Sequence, residues 1–301
     1  MRKMETKLKS DFRFDRNKLE DEVLADYRIA KLINDGQLSI EEARENVFML
    51  AGWLKSEKKC SECRGLADCS YDPKGYHRTL EFVNGIPNEV MAVCRYLKES
   101  REAVRHEKNY LMNYLSRKQL LYSLDKIDRR EESPRYLEIV DTIEKWLESG
   151  TWKGIYLFGS IGVGKSYLAA CISNLMAREG KKTAFVHVPS FFSDARNSIG
   201  SDEDFVDDSL RKLKRAEFLV LDDIGAENIT EWVRDDLLLP VLDYRMENHL
   251  TTFFTSNLSL NDLKKHYTYT SNGSDELKAE RIVERIRAIT YQLPMSGNSR
   301  R

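Results

Sequence analysis

The feature that most constrains the fold is an eight-residue glycine-rich stretch placed directly after an apolar run. Ile155–Phe158 is apolar, and the stretch Gly159–Ser166 (GSIGVGKS) fits the pattern G-x-x-x-x-G-K-[ST]. A helical pattern then covers Lys165–Glu179 and stops at Gly180. A strand, a glycine-rich turn and a helix in this order are typical of a phosphate-binding loop.

Each position of this loop suits a nucleotide. Glycines let the backbone turn several N–H groups toward phosphate oxygens. Lys165 is predicted to neutralise the β- and γ-phosphates and Ser166 to ligate Mg²⁺. A glycine-rich turn that binds nothing is the alternative, but the full motif with both flanks favours a nucleotide site. The predicted contacts are Gly159, Ser160, Ile161, Gly162, Val163, Gly164, Lys165, Ser166 and Tyr167.

A second motif places carboxylates after an apolar strand pattern. Phe218–Leu221 is followed by Asp222 and Asp223. We expect Asp222 to hold the Mg²⁺ water shell and Asp223 to orient the attacking water, although a capping aspartate at a strand end is the simpler alternative. The run Thr252–Thr255 also ends in polar residues, and Asn257 would meet the γ-phosphate if this strand lay between the other two. Asn257 could instead belong to an Asx-turn. The sequence has no guanine-reading N-K-x-D motif, which favours ATP.

Strand and helix patterns alternate in this part of the chain, which predicts an α/β fold with a parallel five-stranded sheet and helices on both faces. The predicted strands are Ile155–Phe158, Thr183–Val188, Phe218–Leu221, Thr252–Thr255 and Thr290–Leu293. The predicted helices are Lys165–Glu179, Phe205–Arg215, Thr230–Glu247 and Glu276–Ile289.

The amino-terminal part combines helical spacing with a cysteine cluster and is predicted to be a small, mostly helical zinc-binding domain. Cys60 and Cys63 form a C-x₂-C pair, which suits one tetrahedral ion. Two further ligands would come from Cys69, His77 and Cys94, and spacing does not choose among them. Unrelated buried cysteines are the alternative. A predicted helix over residues 89–97 carries Cys94, whereas Cys171 is expected to pack in the core.

Composition shifts predict three segments: an amino-terminal domain over residues 1–105, a linker over 106–135 and an ATPase domain over 136–301. The formal net charge of −1 argues against a broad polyanion-binding surface. The sequence has no run of about 18 apolar residues, and residues 1–18 lack the apolar core of a signal peptide. We therefore expect a cytoplasmic protein.

Several motifs together resemble the ATPase domain of bacterial replicative helicase loaders and primosomal proteins, the DnaC-like AAA+ family. They are LDDIGAE (221–227), WVRDD (232–236), YRM (244–246), TFFTSN (252–257) and RIVERI (281–286). The resemblance implies an AAA+ P-loop ATPase that binds the hexameric replicative DNA helicase, helps to place it on single-stranded DNA, and assembles with copies of itself when ATP is bound.

The same resemblance assigns roles to residues. It makes Lys165, Asp222, Asp223 and Asn257 catalytic, and it makes Arg285 an arginine finger for a neighbouring subunit. Spacing alone would leave the helix of Arg285 as a solvated face with intrahelical ion pairs. Because most AAA+ enzymes carry glutamate where Asp223 stands, slow, assembly-dependent ATP hydrolysis is expected.

In the amino-terminal domain, the resemblance suggests helicase binding and a structural zinc held by Cys60, Cys63, His77 and Cys94. Cys69 is then spare, or replaces one ligand.

Two stretches are candidates for contact with DNA. The basic run 211–215 would track phosphates, or simply be a solvated helix face, and Phe191 and Phe192 would stack on bases or anchor the core. Two other functions remain open. A transposition helper AAA+ ATPase has a similar core, and a small-molecule P-loop phosphotransferase would use the same loop.

Overall fold

The computed structural model describes residues 15–83, 85–200, 204–270 and 273–300. The chain divides into two compact units, Met1–Glu102 and Ala103–Arg301. The expectation about a signal peptide concerns residues 1–18, most of which lie outside the described ranges. Within those ranges, no helix is long and apolar enough to cross a membrane.

The first unit begins with four short helices and continues with a β-hairpin. Its elements are α1 (Arg16–Ala25), α2 (Tyr27–Asn34), α3 (Ile40–Glu45), α4 (Val47–Ser61), β1 (Tyr76–Val83), β2 (Ile86–Val93) and α5 (Arg95–Ala103). A capping box starts α3, because Ser39 Oγ accepts from the Glu42 N–H and the Glu42 carboxylate accepts from the Ser39 N–H. The fully buried cluster of this unit comprises Val23, Ile29, Leu38, Ala43, Val47 and Leu50.

The hairpin corrects two predictions for this unit. Its strands pair antiparallel from Tyr76↔Val93 to Val83↔Ile86, so the unit is less helical than expected. The helix predicted over residues 89–97 is wrong, since Glu89 lies on β2 opposite Leu80 and α5 begins at Arg95. Leu80 and Phe82 pack against the buried cluster, which favours the strand conformation over local helical spacing.

The second unit is an α/β fold. Its strands are β3 (Tyr110–Asn113), β4 (Gly154–Gly159), β5 (Thr183–His187), β6 (Phe218–Asp222), β7 (Thr251–Ser256), β8 (Tyr269–Thr270), β9 (Gly273–Ser274) and β10 (Thr290–Met295). Its helices are α6 (Pro134–Glu148), α7 (Lys165–Arg178), α8 (Val188–Ser198), α9 (Asp204–Arg215), α10 (Leu239–Glu247), α11 (Leu260–Thr268) and α12 (Glu276–Ile289).

Six strands form the main sheet, in the order β10-β4-β7-β6-β5-β3, and every neighbouring pair is parallel. The predicted parallel sheet is therefore confirmed, but it has six strands rather than five. β7 lies between β4 and β6, which places the carboxyl ends of all three strands side by side. This arrangement brings the phosphate loop and both polar strand ends to one edge of the sheet.

Helices cover both faces of the sheet, and strand alternation supplies a hydrophobic layer to each. On one face, Tyr156 and Phe254 belong to a cluster with residues of α8 to α12. On the other, Leu157 and Phe253 belong to a cluster with residues of α6 and α7.

The stretch predicted as a linker, residues 106–135, is instead part of the second unit. It carries β3, which pairs with β5, and three short 3₁₀ turns. Polar contacts tie it to α7: His106 Nε2 lies 3.2 Å from Asn174 Oδ1, and Tyr110 Oη lies 2.8 Å from Ser173 Oγ. The charged sequence of this stretch favours a linker. Its partners on α7 could not be predicted, because they lie more than 60 residues away in the chain.

The helix predicted over Thr230–Glu247 consists of two pieces. A π-helical turn covers Trp232–Leu238, and α10 follows it directly. Pro240 has no amide hydrogen for the α-helical bond to residue 236, which explains an irregularity immediately before α10.

Candidate nucleotide-binding site

The glycine-rich loop joins β4 to α7 with a backbone that requires glycine. Gly162 and Gly164 have φ of 84° and 109°, in the left-handed region. Gly159 has φ of 149°, and a Cβ there would lie 1.7 Å from the Met295 carbonyl oxygen. A side chain at Gly159 would therefore displace β10 from β4.

Lys165 is the first residue of α7 and is buried, with 6% of its surface exposed. Its Nζ donates to the carbonyl oxygens of Gly159 and Ser160, and to Asn257 Oδ1, each at 2.8 Å. The ammonium is thus held at the loop, next to the strand ends. A triphosphate placed there would meet a positive charge that is already positioned.

Asp222, the last residue of β6, faces the start of α7. Its Oδ1 accepts from Thr255 Oγ1 at 2.6 Å, and the Ser166 hydroxyl also hydrogen-bonds to this carboxylate. Burial raises the pKa of Asp222, and the two hydroxyl groups oppose that effect. A hydroxyl and a carboxylate oxygen suit Mg²⁺, so Ser166 and Asp222 fit the predicted metal role.

Asn257 connects the two predicted motifs. While its Oδ1 accepts from Lys165, its Nδ2 donates to Asp223 Oδ1 at 3.0 Å. Asp223 has φ of 60°, which is uncommon for a residue other than glycine, and its N–H donates to Thr255 Oγ1 at 2.8 Å. The Asp223 carboxylate is therefore held at the site by both its backbone and its side chain.

Two residues of this network had no predicted role. Thr255 Oγ1 contacts both aspartates, and its position in a polar strand end was the sequence clue. Glu227 is buried and accepts from Tyr267 Oη at 2.6 Å and from the Gly225 N–H at 2.7 Å, which fixes the loop after Asp223. Burial raises the pKa of Glu227.

The phosphate loop and the strand ends lie beside a cavity of about 780 Å³. One wall comes from the loop and the strand ends: Ile161, Gly162, Gly164, Lys165, Ser166, Tyr167, Asp223 and Asn257. The other comes from residues outside the predicted contacts: Gln119, Tyr122, Lys126, Ile127, Asp128, Glu131, Glu132 and Arg300. The remaining predicted contacts Gly159, Ser160 and Val163 are not among the residues that line this cavity.

Arg285 lies on α12 and does not line this cavity. Its Nε donates to Asp243 Oδ1 of α10 at 2.6 Å, and the side chain stays about a third exposed. Within its own chain it is a paired surface arginine. Nearby, Arg287 pairs with Glu284 on the same helix.

The cysteine cluster lines a separate cavity in the first unit, of about 470 Å³. The four half-buried thiols of Cys60, Cys63, Cys69 and Cys94 reach it, as does His77. The Nδ1 atom of His77 is buried without a hydrogen-bond partner, and lies 3.6 Å from Glu57 Oε1. Over the described ranges, no group of three or more Cys, His, Asp or Glu side chains is placed to hold a metal ion. The predicted ligands share this cavity, but their side chains are not grouped closely enough in this arrangement to hold an ion together.

The candidate DNA contacts differ from each other. Phe191 and Phe192 are 2% and 3% exposed, so they are core residues and the stacking prediction is wrong. Arg211 is exposed on α9 and pairs with Asp208, which also pairs with Lys212. Cys171 is buried on α7, as expected.

Comparison with known proteins adds evidence over most of the chain. Residues 88–301 match the family model described as IstB-like ATP binding protein. The replicative helicase loader DnaI of Bacillus subtilis is 29% identical over 297 residues, which cover 97% of this chain and 94% of that protein. An insertion-sequence putative ATP-binding protein of Pseudomonas fluorescens is 30% identical over 45% of this chain and 57% of its own length.

Two solved structures share the fold. A crystal structure of DnaI is 37% identical, with a TM-score of 0.54, and the match covers 65% of this chain and all of that one. A putative primosome component from Streptococcus pyogenes is 32% identical, with a TM-score of 0.51, over 65% of this chain and 97% of that one. The chain therefore belongs to the IstB-like ATP-binding protein family, and it is similar over nearly its whole length to the helicase loader DnaI.

Proposed function

We propose that this protein is an ATP-dependent loader that places the hexameric replicative DNA helicase on single-stranded DNA. One observation carries the proposal: similarity to a replicative helicase loader extends over 97% of the chain, including the amino-terminal unit. The similarity to insertion-sequence ATP-binding proteins covers about half of the chain. A loader needs both a nucleotide switch and a part that binds the helicase, and the chain offers two units.

The second unit is the proposed AAA+ ATPase. The loop N–H groups and Lys165 would hold the phosphates, and Ser166 with Asp222 would hold Mg²⁺, which supplies charge neutralisation on the phosphate oxygens. Asp223 would orient the attacking water. Asn257 contacts both Lys165 and Asp223, so a γ-phosphate competing for Lys165 would alter both contacts. The bound nucleotide would thereby change the geometry of the strand ends.

Hydrolysis is proposed to depend on assembly through Arg285. An arginine from a neighbouring copy would stabilise charge on the transferred phosphoryl group. Arg285 is partly exposed and does not line the nucleotide cavity of its own chain. Both properties are expected of an arginine that reaches the nucleotide of a neighbouring copy. Its bond to Asp243 keeps the guanidinium in one orientation until a partner subunit offers a phosphate.

The first unit is proposed to bind the helicase and to hold a structural Zn²⁺ through Cys60, Cys63, His77 and Cys94. Two observations support this set: the residues share a cavity, and Nδ1 of His77 has no hydrogen-bond partner. An imidazole binds zinc through a ring nitrogen that is not already hydrogen-bonded. Four protein ligands leave no open position, so the ion would be structural. Cys69 accepts from the Gly75 N–H at 3.4 Å and remains the alternative ligand.

The loader is also proposed to contact the single-stranded DNA on which the helicase is placed. The candidate contact is Arg211 with its basic neighbours on α9. These side chains are at least partly exposed, and their ion pairs with Asp208 are solvent-accessible. DNA binding through them would weaken steeply as salt rises.

The test is co-purification of the full chain with the replicative helicase, with and without ATP, accompanied by a metal assay. We expect a stable complex that needs the first unit. Binding to a transposase instead, with no helicase complex, would favour the transposition helper function. Acceptor-stimulated phosphate transfer by a monomer would favour a phosphotransferase.

A further inference from the structure

The segment that follows β10 runs along the phosphate loop. β10 pairs with β4, and its last residue, Met295, lies opposite Gly159. Five residues later, the Arg300 N–H donates to the Gly162 carbonyl oxygen at 2.9 Å. A Cβ built on Gly162 would lie 2.5 Å from Ser299 Oγ. The 296–300 segment is therefore held against the loop through its backbone.

The Arg300 side chain is held in a defined orientation at the cavity wall. Its guanidinium carbon lies 3.6 Å from the ring centroid of Tyr136, a buried residue of α6. Nη1 donates to Glu132 Oε1 at 2.9 Å, and Nη2 donates to the other carboxylate oxygen. The side chain remains about a third exposed, so a ligand in the cavity can reach it.

Charge explains why this arginine matters. The cavity wall opposite the strand ends carries three carboxylates, on Asp128, Glu131 and Glu132. A polyphosphate entering the cavity would be repelled by them. Lys165 supplies positive charge at the loop, and Lys126 and Arg300 supply it on the acidic wall, where Arg300 is the one that contacts both the loop and Glu132.

We propose that Arg300 is a nucleotide-binding residue whose guanidinium exchanges the Glu132 carboxylate for a phosphate oxygen when ATP binds. This inference rests on the proposed ATP binding. The planar guanidinium suits the task, because it stacks on Tyr136 while its N–H groups fit carboxylate and phosphate oxygens alike. Lysine is also charged, but it lacks the planar group that stacks on a ring and donates two parallel hydrogen bonds.

The test is a double-mutant cycle on ATP affinity, measured by calorimetry on the full chain. We expect Arg300→Ala to weaken ATP binding about 10-fold, and Arg300→Lys to weaken it less. Glu132→Gln should tighten binding a few-fold, because it removes a competing charge. In the Glu132→Gln background, Arg300→Ala should still cost about 10-fold, since the phosphate contact is lost there too.

Two results would overturn the proposal. An unchanged or tighter affinity for Arg300→Ala would show that the 296–300 segment only packs on the loop or covers it. A loss that disappears in the Glu132→Gln background would show that Arg300 merely screens Glu132. Arg78→Ala and Glu89→Gln, from an exposed ion pair on the hairpin, are matched controls, and thermal unfolding verifies folding. If the wild-type chain binds no ATP, the proposed function itself fails.

Discussion

The nucleotide cavity and the cysteine cavity are built in opposite ways. In the second unit, Lys165 and Asp222 are each 6% exposed and hydrogen-bonded; Lys165 begins α7, and Asp222 ends the buried strand β6. In the first unit, the four cysteines are half-buried. Cys60 lies at the end of α4, Cys63 and Cys69 follow in the loop before β1, and Cys94 lies between β2 and α5. Its fully buried cluster lies between Val23 and Leu50, before the first cysteine. The nucleotide site is thus formed by buried, hydrogen-bonded side chains, whereas the cysteine cavity is lined by half-buried side chains that the proposed zinc ion would tie together.

Metal removal should produce the largest difference between the units. A structural zinc site contributes about 10 kcal/mol or more to folding. We expect chelation or Cys60→Ser to unfold the cysteine region and abolish helicase binding while ATP affinity is kept, as followed by circular dichroism and calorimetry. His77→Ala should lose zinc and Cys69→Ser should retain it. The reverse result would show that Cys69, rather than His77, is the zinc ligand. Purified protein that contains no zinc would contradict the proposed site.

Lys165→Ala should remove ATP binding without unfolding the second unit. The charge-assisted contacts of the ammonium to the phosphates would be lost, which predicts a decrease in affinity of about 1,000-fold. Calorimetric titration with ATP measures the effect, and the melting temperature reports folding. Lys181→Ala, at an exposed lysine paired with Glu179, is the control. Unchanged affinity in the Lys165 variant would refute the assignment of the loop.

Arg285→Ala should leave the ATP affinity of the isolated chain intact. In assembled material we expect hydrolysis to fall about 100-fold, as for loss of one positioned donor to the transition state. Phosphate release, measured as a function of protein concentration, separates the two states. Normal turnover at high concentration would show that another arginine serves the neighbouring subunit.

Asp222→Asn should stabilise the chain in the absence of nucleotide and Mg²⁺, although it removes hydrolysis. Burial raises the pKa of Asp222, so the ionised carboxylate costs stability at neutral pH, and that cost fades as pH falls through the raised pKa. We expect a melting temperature about 3 °C higher than wild type near pH 7, with a smaller gap in acid. A lower melting temperature at pH 7 would mean that the hydrogen bonds outweigh burial.

The sequence predicted the strands of the second unit well because each is a short apolar run bounded by polar residues. β7 could also be placed between β4 and β6, since its polar end implied a position near the phosphates. β3 was missed because four residues form no pattern, and its pairing with β5 is a tertiary effect.

In the first unit, the hairpin had a usable signal in the dipeptide Asn84-Gly85, which favours tight turns between strands. The residues around Glu89 also fit helical spacing, and that pattern predicts a helix where the structure has β2.

In the candidate site, too, residues within sequence motifs were predictable and residues placed by the tertiary fold were not. Residues of the loop and the strand ends are close in sequence to recognisable motifs, so their roles could be proposed in advance. For Thr255 the sequence indicates a polar strand end but not a position between two aspartates, and for Arg300 it indicates no role, because both positions depend on strand order and on the path after β10. The zinc ligands also stayed ambiguous, since C-x₂-C fixes two positions and leaves the rest to the fold.

The most direct test of the central claim is a loading assay on circular single-stranded DNA with purified replicative helicase. The account predicts that the wild-type chain with ATP transfers helicase to the circle, and that Lys165→Ala does not. Equal transfer with the Lys165→Ala chain, or with no chain added, would contradict it.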